Sequence, residues 1–117
     1  MSYDQPSLGK TTVSPAVIIA IARMAALSVP GVSSMAPLSG GVDRIFRRPG
    51  DEGIRMVIQD NAVSGDIHLV LREDVNIREV GRNVQLQVAR AIREMVGMDV
   101  ARIDVHIENI DYEAATA

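Results

Sequence analysis

The run from residue 15 to residue 29 is the feature that most constrains how this chain of 117 residues can fold. Apart from the proline that opens it, Arg23 and Ser28 are its only residues that are not Val, Ile, Leu, Met or Ala. A helix that is apolar on nearly every face is normally buried on most of its sides. The run therefore predicts a helix in the centre of the core.

The residues on either side of this run predict where the helix begins and ends. Ser14-Pro15 is typical of a helix start, because serine caps free N–H groups and proline is tolerated at the first helical position. Pro30-Gly31-Val32 predicts the end, because proline disfavours helical geometry in the residue before it and glycine accepts the following turn. We therefore predict a helix over residues 15–29.

The same run, preceded by Lys10, is similar in pattern to a targeting segment. Arg23 interrupts it, and the unbroken apolar stretch 16–22 is far shorter than the roughly 20 residues needed to span a bilayer. We therefore expect neither a cleaved signal nor direct membrane insertion.

Apolar and polar residues alternate in three places downstream, which predicts half-buried strands at residues 54–59, 66–72 and 102–108. Turn-forming residues over 60–65 predict a hairpin between the first two of these strands. Two short strands are also expected, at residues 9–13 and 32–38.

A second helix is predicted to begin after Asn76, because Asn76 and Glu79 resemble a capping box. Gly97 is a natural stop for it. Between them, apolar residues recur every three or four positions in one narrow stripe: Ile77, Val80, Val84, Val88, Ile92 and Met95.

These elements predict an α+β fold, a two-layer sandwich in which a small mixed or antiparallel sheet has two helices packed on one face. The length and the 47% hydrophobic content are those of one domain with its own core. We place that domain at residues 9–112, between a flexible N-terminal tail (1–8) and a short C-terminal tail (113–117).

Composition excludes several functional classes. The chain has no cysteine, which excludes disulfides, a thiolate nucleophile and a Cys-ligated zinc. Twelve basic and fifteen acidic side chains give a net charge of −3, which is not the charge pattern of a general nucleic-acid binder.

Three collinear segments resemble the alkaline shock protein family of bacterial envelope stress response proteins. They are residues 9–32 with the apolar helix, residues 74–88 with Asp74-Val75-Asn76-Ile77-Arg78-Glu79-Val80, and Met95-Val96-Gly97-Met98 with Val105-His106-Ile107. The resemblance implies a cytoplasmic protein of envelope homeostasis that self-associates and is held at the membrane by a membrane-anchored partner. It implies no catalytic activity and no cofactor.

The second helix offers a candidate protein interface on the side opposite its apolar stripe. At about 100° per residue, four arginines fall there with a single leucine among them. Interfaces favour arginine around an apolar centre, although a solvated face with one exposed leucine is the alternative. The candidate residues are Arg78, Arg82, Leu86, Arg90 and Arg93.

A basic cluster in the predicted loop 39–53 is a second candidate contact, for anionic headgroups or an acidic partner surface. A solvated loop is the alternative interpretation. The cluster consists of Arg44, Phe46, Arg47 and Arg48.

Two other functions stay open as alternatives. A metal-dependent enzyme would use His106 with Asp104 and Glu108 on one strand face, or His68 with Asp66 on another, although we expect no metal there. A small RNA-binding domain is suggested by the loop 50–53, whose pattern resembles that of the KH fold, but its two carboxylates would repel phosphates. We therefore expect a non-enzymatic interaction module whose partners are itself and a membrane-anchored protein.

Overall fold

The protein is described by a computed structural model, which defines residues 8–37 and 53–112. The elements of these residues are α1 (Pro15–Leu27), β1 (Val32–Met35), β2 (Ile54–Gln59), β3 (Ala62–Arg72), α2 (Ile77–Ala91), a π-helical turn (Ile92–Val96) and β4 (Asp99–Asp111). Three strands follow α1 in succession, and α2 separates them from β4.

The limits of α1 follow from the caps that the sequence predicts. The Oγ of Ser14 accepts a hydrogen bond from the N–H of Ala16 at 3.3 Å, and Pro15 is the first helical residue. The helix ends at Leu27, two residues before the predicted end, where the Ser28 hydroxyl donates to the carbonyl of Ala25 at 2.7 Å. A hydroxyl that bonds the backbone of the last turn competes with continuation of the helix.

The sheet is mixed, with β3 in the middle. β1 and β2 both run antiparallel to β3 and lie end to end along one of its edges, at Leu69–Leu71 and Ala62–Ile67 respectively. β4 runs parallel to β3 along the other edge. The predicted fold class, with a small mixed sheet, is therefore confirmed.

The hairpin between β2 and β3 is tighter than predicted. Asp60 and Asn61 have φ values of 53° and 63°, as a two-residue turn with both central residues in the left-handed region requires. Residues 62–65 therefore belong to β3 and lie opposite β2 instead of forming the connection.

Both helices pack on one face of the sheet. In β3 every second residue from 63 to 71 is buried, whereas the residues between them are only partly covered. The core that these residues build with α1 and α2 is aliphatic throughout, including Ile18, Ala22, Ile67, Leu69, Val84 and Val88.

Two expectations about the N-terminal part are wrong. Residues 9–13 form no strand, because Gly9 has a φ of 83° and residues 9–12 are exposed. The face of α1 that carries Val17 and Met24 is also not buried, since the sheet and α2 cover only the sides that face them. Among the described residues, this face forms an open apolar groove of about 320 Å³ lined by Ala16, Val17, Ala20, Ile21 and Met24.

Candidate interaction surfaces

The orientation of α2 is set by its cap and by its buried stripe. The Oδ1 of Asn76 accepts a hydrogen bond from the N–H of Glu79 at 3.0 Å, as the predicted capping pattern requires. Val80, Val84 and Val88 are buried against the core. At about 100° per residue Leu86 lies opposite this stripe, and 61% of it is exposed.

The arginines predicted to surround Leu86 are all exposed, but they do not have equal surroundings. Arg78 and Arg82 lie on the side of α2 that faces β4. Arg90 forms an ion pair with Glu94, one turn further along the helix, in which Arg90 Nε donates to Glu94 Oε2 at 3.0 Å. The predicted patch therefore spreads over more than one side of the helix.

Arg93 lies in the π-helical turn that follows α2, where Gly97 N–H bonds the carbonyl of Ile92. An i to i+5 turn advances less than 100° per residue, so a uniform projection of 100° per residue does not locate Arg93 relative to Leu86. The predicted loop contact, Arg44, Phe46, Arg47 and Arg48, lies outside the described residues.

A groove that the sequence does not reveal lies between α2 and β4. Its volume is about 470 Å³, and it is lined by Ile77, Arg78, Gly81, Arg82, Gln85, Val105 and Ile107. At its wall, Nε2 of Gln85 donates to the carbonyl of Ile103 at 3.0 Å. No periodicity in the sequence signals that these residues meet, because they are brought together only when α2 packs beside the last strand.

The outer face of the sheet, away from the helices, carries two histidine–carboxylate pairs. His68 Nδ1 lies 2.5 Å from Glu108 Oε2, and His106 Nε2 lies 3.1 Å from Asp66 Oδ1. The two imidazole rings stack, with centroids 4.5 Å apart and planes 15° apart. The two residue sets that the sequence placed on separate strands are therefore neighbours, because β3 and β4 are adjacent.

This cluster does not have the geometry of a metal centre. Each imidazole faces one carboxylate, and each pair joins a residue of β3 to the residue of β4 two positions beyond its register partner. Within residues 8–37 and 53–112, no three His, Asp or Glu side chains are arranged to hold a metal ion.

Electrostatics in the cluster favours the ionised form of Asp66. The hydrogen bond from His106 lowers the pKa of Asp66, partial burial opposes this, and the positive charge of Arg102 lowers it further. The folded-state pKa therefore lies below the ordinary value of 3.8. This carboxylate stabilises the fold above that value, and its contribution is lost as the pH falls through the folded-state pKa.

Asp66→Asn should therefore lower the free energy of unfolding at about pH 7 but make little difference at about pH 3. The expected difference at neutral pH is on the order of 0.5 kcal/mol, because the pair is partly exposed to solvent. Urea denaturation followed by circular dichroism measures both values. Glu73→Gln is the control, since this exposed carboxylate forms no ion pair within the described residues. If Asp66→Asn lowers the free energy of unfolding equally at both pH values, the prediction is contradicted.

No helix in the described residues is long and apolar enough to cross a membrane.

Comparison with known protein families gives a match over nearly the whole chain. Residues 3–112 match the alkaline shock protein 23 family, which is described as having a cell envelope-related function. Two Bacillus subtilis proteins are similar in sequence. YqhY is 28% identical over 97% of this chain and 85% of its own length, and YloU is 23% identical over 87% of this chain and 88% of its own length.

Solved structures with a similar fold include forms of the protein domain MamM-CTD. One variant covers 82% of this chain and 98% of its own chain, with a TM-score of 0.59 and 16% identity. The copper form covers 81% and 85%, with a TM-score of 0.58 and 16% identity. At this identity the similarity establishes a shared α+β fold and nothing about ligands.

Proposed function

The chain belongs to the alkaline shock protein 23 family, and from that premise we propose that it is a non-enzymatic protein-interaction module of cell-envelope homeostasis. It self-associates and docks on a membrane-anchored partner protein. The family's description supports the connection with the envelope. The protein works in the cytoplasm, needs no cofactor, and reaches the membrane through its partner.

The observation that carries this proposal is the apolar character of the surface that the two helices turn away from the sheet. Val17 and Met24 of α1 are 47% and 54% exposed, and Leu86 of α2 is 61% exposed. Single exposed apolar residues are common, but Val17 and Met24 line one apolar groove on α1, and a contiguous apolar surface favours a protein contact.

Charges near this surface suit a partner with acidic groups. Arg78 and Arg82 form no ion pair within the described residues, so their guanidinium groups remain available. Arginine is enriched at protein interfaces, where its planar group binds carboxylates in a bidentate manner. We propose that Arg78, Arg82, Arg90 and Arg93 contribute to docking around Leu86, with Arg44, Phe46, Arg47 and Arg48 as a second contact.

Leu86→Asp should release the protein from the membrane fraction of cells that express it. A carboxylate at this position removes the apolar anchor and places a charge where the partner would have to desolvate it. The measurement is the share of protein recovered with sedimented membranes, which we expect to fall by about tenfold, the effect of losing 1.4 kcal/mol.

Val57→Asp is the matched control, because Val57 is also an exposed apolar residue, at 54%, but lies on β2 away from the helices. It should leave the membrane-bound share unchanged. Equal recovery of the unaltered protein and of both variants in the soluble fraction would contradict docking at the envelope. Equal recovery of all three with the membranes would contradict the role of Leu86.

A further inference from the structure

β4 is the longest strand of the described sheet, and only one of its edges has a partner strand there. It pairs with β3 from Asp99 to Asp111, and no other strand among residues 8–37 and 53–112 adjoins it. An unpaired edge presents a row of backbone N–H and C=O groups that can pair with another chain. The free edge of β4 is therefore a place where a further strand can add.

One hydrogen bond shows which residues face this edge. The carbonyl of Ile103 accepts from the side chain of Gln85 on α2, so it points away from β3. Residues two apart on a strand direct their backbone groups to the same side, and the β3–β4 register is regular from 103 to 107. The N–H and C=O groups of Val105 and Ile107 therefore face the free edge as well. The Gln85 amide occupies the place that the N–H of an added strand would take.

The helix side of this edge leaves room for the side chains of an added strand. The groove of about 470 Å³ between α2 and β4 is bordered by Ile77, Gly81, Val105 and Ile107, with Arg78 and Arg82 at its rim. An incoming strand with apolar residues on that side would cover the partly exposed Ile77 and fill the space above Gly81.

We propose that the free edge of β4 binds β4 of a second copy of this chain, antiparallel and centred on Val105, so that the two sheets join across a two-fold axis. This inference rests on the self-association in the proposed function and names its surface. The sequence of β4 is self-complementary in this register. Arg102 lies opposite Glu108 of the second copy, Asp104 lies opposite His106 of the second copy, and the symmetry repeats both pairs.

The backbone pattern agrees with this pairing. The backbone groups of Val105 face the free edge, so Val105 forms the central hydrogen-bonded pair with Val105 of the second copy. The pairs on either side of it are closely spaced and not hydrogen-bonded. Each of these pairs consists of Asp104 from one copy and His106 from the other. Arg102 and Glu108 both lie on the outer face of the sheet. There Arg102 forms an ion pair with Asp104 of its own strand and lies 3.8 Å from Asp66, and Glu108 contacts His68; both remain about half exposed.

Other two-fold registers with the same residues facing the partner are less favourable. A centre at Ile103 keeps only the pair of Arg102 with Asp104 of the second copy, because His106 then lies opposite Val100. A centre at Ile107 would place Asp104 opposite Ile110 of the second copy. The register centred on Val105 also sets Ile103 opposite Ile107 on the helix side.

The test uses two single charge reversals, Arg102→Glu and Glu108→Arg, measured alone and as an equimolar mixture by analytical ultracentrifugation. Each variant alone places like charges opposite each other at two symmetric sites, which opposes strand pairing. We expect the dissociation constant of each to rise by about tenfold or more. The mixture sets opposite charges across both sites again, so a heterodimer with nearly the original affinity should form. Circular dichroism confirms that each variant is folded.

A backbone variant tests the same edge independently. Val105→Pro removes an N–H that points to the free edge, and edge strands tolerate proline at such a position. It should abolish the dimer, whereas Val105→Ala, the control, should keep it. Because the charge reversals are at exposed positions, they decide the matter even if the proline variant does not fold.

The outcomes separate this inference from the proposed function. An unaltered chain that self-associates, whose single reversals dissociate and whose mixture recovers, supports pairing through β4. An unaltered chain that self-associates equally well in both reversals contradicts pairing through β4 and leaves the proposed self-association intact. A chain that is monomeric in every form contradicts both.

Discussion

Ile67→Ala should lower the free energy of unfolding by about 2–5 kcal/mol, the range for removing a large aliphatic side chain from a tight core. Ile67 lies in the middle of β3, is fully buried, and is surrounded by core residues from both helices and the sheet. The loss combines the lost burial of three carbon atoms with the cavity left among rigid neighbours. Against the 5–15 kcal/mol that typically stabilises a domain, this loss is at least about an eighth of the total.

Urea denaturation followed by circular dichroism measures this loss, at one fixed protein concentration because self-association would add to the apparent stability. Ile58→Ala is the matched control: the residue is also an isoleucine in the sheet, but it lies on the edge strand β2 and is 38% exposed. We expect it to cost less than about 1 kcal/mol. Equal losses for the two variants would contradict the packing described for β3.

Gly53→Ala should lower the free energy of unfolding by about 3 kcal/mol, for two reasons that act together. Gly53 has a φ of 83°, a conformation that a residue with a side chain adopts only with strain. An added Cβ would also lie 2.6 Å from the carbonyl oxygen of Ala36 and 2.9 Å from that of His68. Both are backbone atoms, so neither can move without disturbing the pairing with β3, where His68 N–H donates to the Gly53 carbonyl.

Gly97→Ala separates the two causes. Gly97 has nearly the same φ, 80°, but a Cβ there would meet no atom within 4 Å. It should therefore cost only about 1 kcal/mol, the strain of the backbone alone. Thermal or urea denaturation of both variants gives the comparison. If Gly53→Ala is at least as stable as Gly97→Ala, the close approach of β1, β2 and β3 at residue 53 is contradicted.

The parts of the fold that could be predicted are those that short segments determine. Ser14 before α1, Asn76 before α2 and Gly97 after the π-helical turn act through hydrogen bonds and backbone angles within a few residues. The alternation in β3 and β4 reflects one buried and one outer face. These signals are local, so a single sequence contains them.

The parts that could not be predicted depend on where distant segments meet. The stacked pair of His68 and His106 requires β4 to lie beside β3 in parallel, and nothing in either strand states that pairing. The groove beside Gln85 likewise forms only when α2 packs next to β4. A uniform projection also cannot locate Arg93 relative to Leu86, because a π-helical turn changes the angle per residue.

The exposed face of α1 could not be predicted either, and it bears directly on function. The apolar run predicted a helix buried on most sides, but the described residues cover only part of it and leave Met24 more than half exposed. A helix that is more apolar than its own fold requires favours a further contact with another protein chain. The apolar run of α1 therefore supplies part of the core and, through its exposed face, also supports the proposed interaction module.

The most direct test of that module is the molar mass of the unaltered chain, measured by light scattering after size exclusion across a concentration series. We expect the mass to rise with concentration from 12.6 kDa to at least twice that value. A mass that stays at 12.6 kDa up to the highest attainable concentration would contradict self-association.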